Sequence, residues 1–125
     1  MAKRIINTKN APAAIGPYSQ AVEANGMLFI SGQIPVDPAT GKIPSGITAQ
    51  TEQVMKNIEA ILKEAGYEFK DVIKSTCLLS DIAHFSPMND VYAKYYPSDC
   101  PARAAFAVRD LPKGVLVEIE TIAAK

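Results

Sequence analysis

The sequence is short of the groups from which many enzymes build reactive centres. Histidine occurs once, at His84, and cysteine twice, at Cys77 and Cys100. A lone histidine cannot assemble a metal site, and the cysteine spacing suits no metal motif. Cys77 lies in an apolar stretch and reads as a small core residue. Cys100 precedes Pro101 in a loop and reads as partly exposed, and both thiols are expected to be reduced. His84 reads as a surface residue near a helix start. A bias of charge is missing too: 13 lysines and arginines balance 13 aspartates and glutamates. Nucleic-acid binders carry a basic excess or a basic patch, so no nucleic-acid partner is expected.

Long apolar runs are also absent. None approaches the roughly 20 residues that span a bilayer, and the stretch after Lys3-Arg4 is too short for the apolar region of a signal peptide. The expectation is a cytoplasmic protein with no membrane partner. The phosphate-binding loop, the dinucleotide fingerprint, the His-Glu-x-x-His helix and the nucleophile elbow do not occur. A Ser-His-Asp triad would have to use His84, and nothing marks a nucleophile beside it. No repeat, low-complexity tract or linker interrupts the chain, so residues 1–125 read as one domain.

What is present is a patterned globular sequence, 48% hydrophobic. Lys3 to Asn7 reads as a short strand. Asn10 to Tyr18, with Pro12, Gly16 and Pro17, reads as a loop of restricted φ. Gln20 to Ala24 and Met27 to Ser31 flank Asn25-Gly26, a strong hairpin signal. Gly32 to Gly46 holds three prolines and reads as a long loop, a kind that often carries function. Val54, Ile58, Ile61, Leu62 and Ala65 form a helical stripe stopped by Gly66. Asp71 to Leu79 reads as a buried strand. Ser86 as N-cap and Pro87 as the first helical residue open a second helix, whose Met88, Val91, Tyr92 and Tyr95 recur at helical spacing until Pro97. Ala102 to Val108, a loop over Arg109 to Gly114, and Val115 to Ala123 read locally as a closing strand pair. The sum is an α+β fold with two helices on one face of a mixed sheet. Nothing in the chain remains to cover the other face, which implies burial against another subunit.

Two places carry chemistry. In the last strand Glu118 and Glu120 share a face with Leu116 and Ile122, opposite Val117, Ile119 and Thr121. A solvated face, a structural ion pair and a functional carboxylate all fit that pattern. Arg103 leaves a proline-fixed turn among alanines, with room around its guanidinium. It suits either a surface salt bridge or bidentate capture of a carboxylate.

Four segments, taken together and in order, resemble the reactive intermediate deaminase family (RidA, YjgF-like). They are Ala13-Ala14-Ile15-Gly16-Pro17-Tyr18-Ser19-Gln20-Ala21, Ser31-Gly32-Gln33-Ile34-Pro35, Cys100-Pro101-Ala102-Arg103 and Val117-Glu118-Ile119-Glu120. The resemblance spans essentially the whole chain. It implies a chorismate-mutase-like fold, with the last strand inside the sheet and the Arg103 strand at its edge, and a homotrimer with clefts between subunits. It also implies a cofactor-free, metal-free hydrolysis of 2-iminopropanoate and 2-iminobutanoate. Carried over by position, Arg103 binds the substrate carboxylate and Glu118 attends the hydrolytic water. Tyr18 and Gly32 match residues that line the cleft, and Asn89 matches a helix residue near it. Many relatives have Ser-Cys where this chain has Ala104-Ala105, so a thiol nucleophile is impossible there, although backbone groups at Ala105 can still meet substrate. From another class, the rival expectations are a carboxylate-metabolite sensor or regulatory module, and a ribonuclease-type translation inhibitor.

Overall fold

In the computed structural model, which describes residues 2–125, six strands and two helices follow one another along the chain. They are β1 (Arg4–Ile6), β2 (Ala21–Ala24), β3 (Met27–Gln33), α1 (Ile47–Ala65), β4 (Val72–Leu79), α2 (Phe85–Tyr95), β5 (Ala102–Ala107) and β6 (Val117–Ala124). Local chemistry accounts for the turns. Asn25 and Gly26, at φ of 53° and 73°, make the left-handed pair that a two-residue hairpin needs between β2 and β3. Gly66 ends α1 in the left-handed region, where its N–H and that of Tyr67 satisfy the Lys63 and Leu62 carbonyls.

Several element ends shift by one or two residues from the sequence reading, and two of the shifts bear on the site. β3 runs on to Gln33, so Gly32 belongs to a strand and not to the loop that follows. The second helix begins at Phe85, ahead of Ser86. Asp81 caps a short turn over Ile82–His84, accepting from the Ala83 N–H at 2.9 Å, and that turn runs directly into α2. Ser86 is therefore inside the helix. Pro87 falls in its first turn, where an absent N–H breaks no intrahelical bond.

The sheet order is β1-β2-β3-β6-β4-β5, with β4 and β5 parallel and the other neighbours antiparallel. β6 thus lies in the interior and β5 at the edge, as the family resemblance implies. The local reading of β5 and β6 as a strand pair is overturned: β4 lies between them. Both helices pack on one face. Leu28, Ile30, Val54, Ile58, Ile61, Leu62, Val117 and Ile119 are buried between the layers. Each such side chain contributes about 1.5–3 kcal/mol of transfer free energy. On the other face Ile5, Phe29 and Phe106 remain 53%, 47% and 46% exposed. No helix among the described residues is long and apolar enough to cross a membrane.

Candidate functional site

The alternation of β6 sorts its residues. Val117, Ile119, Thr121 and Ala123 are buried beneath the helices, while Glu118, Glu120 and Ile122 point to the open face. Across the sheet, Glu118 stands opposite Leu78 of β4, which stands opposite Phe106 of β5. Burial raises the pKa of the half-buried Glu118 carboxyl, and the neighbouring Glu120 charge raises it further.

Glu118 is seated against Gly32. The register between β3 and β6 slips between Ile30 and Gln33: three steps on β3 match two on β6, from Thr121 to Ile119. The extra residue is a bulge at Ser31-Gly32, of the kind that re-aims side chains in sheets. Ser31 fixes it by donating its N–H to the Gln20 carbonyl at 2.9 Å and its hydroxyl to the Ser19 carbonyl at 2.6 Å. A Cβ on Gly32 would overlap Glu118 Oε2 and stand 2.9 Å from Cδ. The absence of a side chain at Gly32 leaves the space that the Glu118 carboxylate occupies.

Gly32 and Glu118 open into a cleft of about 990 Å³, lined also by Tyr18, Ser31, Glu120 and Lys113. Its walls are loops held by buried amides. Gln20, 2% exposed, accepts from the Thr8 N–H at 2.7 Å and donates to the carbonyls of Thr8, Ala11 and Pro12. Asn57, fully buried on α1, donates to the carbonyls of Ile34 and Val36 at 3.1 Å. Gln50 donates to the Pro44 carbonyl and accepts from the Leu116 N–H. Sequence reasoning passed over these residues. Asn57 did leave a signal, being a polar residue within the apolar stripe of α1.

Arg103 lies elsewhere. On β5 it stands opposite Ser75 of β4, whose own partner on β6 is Thr121, and both of these are buried under the helices. Its guanidinium rests on α2, where Nη1 donates to Asn89 Oδ1 at 2.7 Å. Ala105 shares its face and stands opposite Cys77. The six residues expected from the sequence therefore form two groups. Tyr18, Gly32 and Glu118 meet in the cleft; Arg103, Asn89 and Ala105 gather at the β5 edge; the chain does not bring the groups together. Cys77 is fully buried, and burial pushes its thiol up to about 11, whereas Cys100 is exposed. No cluster of three or more histidine, cysteine or acidic residues suited to a metal ion occurs among the described residues.

Comparison with known proteins places this arrangement in a lineage. A family profile described as Endoribonuclease L-PSP matches residues 8–125. A RutC family protein of Pyrococcus horikoshii is 56% identical over 124 residues, 98% of each chain. The 2-iminobutanoate/2-iminopropanoate deaminase of Capra hircus is 53% identical over 98% of this chain and 90% of its own length. Among solved structures, a protein of unknown function of the conserved Rid family from Yersinia pestis superposes with a TM-score of 0.96 at 50% identity, covering 99% of this chain and all of the other. With a profile matched over nearly its whole length and relatives above 50% identity, the chain belongs to the Endoribonuclease L-PSP family, the family of the RidA and YjgF-like proteins.

Proposed function

We propose that the protein is a hydrolytic deaminase that converts 2-iminopropanoate and 2-iminobutanoate to the corresponding 2-oxo acids and ammonia, and that it works as a homotrimer with its active sites between subunits. The observation that carries the reading is the Glu118 carboxyl, half-buried, of raised pKa and fitted against Gly32 in a cleft. The related deaminase at 53% identity supports the substrate class. The exposed Ile5, Phe29 and Phe106 on the face without helices support assembly. So does the division of the site residues, because a second copy offers the Arg103 group that one cleft lacks.

The chemistry asks little of the protein. A protonated imine is already electrophilic, so no metal or cofactor is needed to activate its carbon. Arg103 holds the carboxylate, and Glu118 takes a proton from water as the oxygen bonds to the imine carbon and the C=N electron pair moves to nitrogen. Glu118 then returns that proton to the amino group. The C–N bond breaks, ammonia leaves, and the hydroxyl proton passes by way of the carboxylate to ammonia as the ketone forms. A carboxyl of raised pKa suits both transfers. Tyr18, 53% exposed at the cleft mouth, is placed to cover bound substrate. The nuclease reading gains little from a chain of zero net charge whose single histidine sits at the head of α2.

The test is ammonia release from 2-iminobutanoate generated in place by a threonine dehydratase, with and without the protein. Acceleration abolished by Glu118→Gln supports the reading. Binding of 2-oxobutanoate without any acceleration would replace the enzyme with a carboxylate sensor.

A further inference from the structure

Phe85, Asn89 and Tyr92 follow one another on α2 at i, i+4 and i+7, so one face of the helix presents all three to the sheet edge. Arg103 lies across that face. Its Cζ is 5.4 Å from the centroid of the Phe85 ring and 4.9 Å from that of Tyr92. Tyr92 is buried, at 6% exposure, and Phe85 is half-buried. Arg103 itself is exposed and, among the described residues, forms no ion pair.

The arrangement holds the cation without neutralising it. A guanidinium has five N–H donors in a planar fork. Asn89 engages Nη1, and the ring faces use no donors at all. Aromatic faces attract the charge through their quadrupoles, and more strongly where water is excluded, as on the Tyr92 side. A carboxylate in their place would fix the arginine equally well but would cancel its charge before substrate arrived.

We propose that Phe85 and Tyr92 are positioning residues for the carboxylate anchor: their rings hold the Arg103 guanidinium in place while leaving its charge and its free N–H edge to the substrate. The proposal rests on Arg103 being that anchor. It extends the site to an aromatic pair that packs like ordinary core, and it assigns the head of α2 to ligand binding as well as to the fold.

The test compares Phe85→Leu, Tyr92→Leu and Tyr92→Phe, alone and with Arg103→Ala, after light scattering has confirmed the parental assembly. Affinity for 2-oxobutanoate is read by calorimetry, and KM and kcat by imine hydrolysis. Each leucine variant is expected to weaken binding roughly 2- to 30-fold, the range of a cation–aromatic contact, and to raise KM more than it lowers kcat. Tyr92→Phe, which keeps the ring and removes a buried hydroxyl that has no hydrogen-bond partner among the described residues, is expected to recover most of what Tyr92→Leu loses. In the Arg103→Ala background the leucine changes are expected to add nothing, because the group they position is gone. Should Tyr92→Leu fail to fold, the less buried Phe85→Leu carries the test alone. Parental affinity in both leucine variants, or equal losses with and without Arg103, overturns the proposal. Parental affinity in Arg103→Ala overturns instead the assignment of Arg103 as the anchor.

Discussion

Arg103 and Glu118 stand on opposite faces of one sheet, on strands β5 and β6 that only β4 separates. Register fixes the relationship: Arg103 lies level with Ser75 on the helix side, and Glu118 lies level with Leu78 on the open side. Side chains on opposite faces cannot close on one small molecule while the sheet stays intact. On the proposed reading, a substrate held by both residues lies between two copies of the chain.

Gly32→Ala separates the fold from the chemistry. The backbone at Gly32 is not in the left-handed region, so alanine is tolerated there. The nearest atoms to the Cβ are Oε2, Cδ and Cγ of Glu118, a side chain that can turn aside. The expected outcome is a stability loss of about 1 kcal/mol or less, measured by denaturant unfolding. Imine hydrolysis should fall about 10-fold or more, since a shift of this kind degrades alignment with substrate. Full activity would mean that the carboxylate need not occupy its present position.

Glu120 sets part of the pH dependence. Burial first, and the Glu120 charge second, hold the Glu118 carboxyl above its ordinary pKa. Below that raised pKa the group is protonated and cannot take a proton from water. The kcat/KM profile should therefore fall on its acid side above the usual glutamate range. Glu120→Gln removes the second cause and should move that limb to lower pH, although not to the ordinary value, because burial remains. Stability follows the same group. Between the ordinary pKa and the raised one the folded chain binds more protons than the unfolded chain, so this contribution to stability declines as pH rises through that window. An acid limb that does not move in Glu120→Gln would remove Glu118 as the titrating base.

Gln20 anchors the cleft wall. Its amide makes four hydrogen bonds to the segment from Thr8 to Pro12. Gln20→Leu matches its size but strands the Thr8 N–H and the carbonyls it served. A loss of about 2–4 kcal/mol is expected in urea unfolding, with increased hydrogen exchange at Thr8. A loss below about 0.5 kcal/mol would show that water replaces the amide.

These residues also mark how far the sequence could be read. Asn25-Gly26, the α1 stripe and the alternation of β6 are local patterns, and local patterns survive in sequence. That Glu118 and Arg103 face apart was not legible, because it depends on β4 inserting between β5 and β6 and on the parallel register it makes with β5. The start of α2 was misplaced because Asp81 caps a turn that feeds the helix, whereas Ser86-Pro87 resembles a start in isolation. Gln20 and Asn57 act through backbone carbonyls many residues away: the polar Asn57 in an apolar stripe marks a buried amide, but no linear pattern names its partners. The close approach of Gly32 to Glu118 arises from a bulge, which only the paired strand defines.

The shared active site is tested most directly by mixing two inactive subunits. Arg103→Ala keeps Glu118, and Glu118→Gln keeps Arg103. Each variant alone should hydrolyse 2-iminobutanoate at a small fraction of the parental rate. When the two are refolded together in equal amounts, a trimer with sites between neighbours regains one intact site in every mixed assembly, about one quarter of all sites. Recovery to roughly that fraction of parental activity is the expected result. Mixed assemblies no more active than the separate variants would contradict a site that takes Arg103 from one subunit and Glu118 from another.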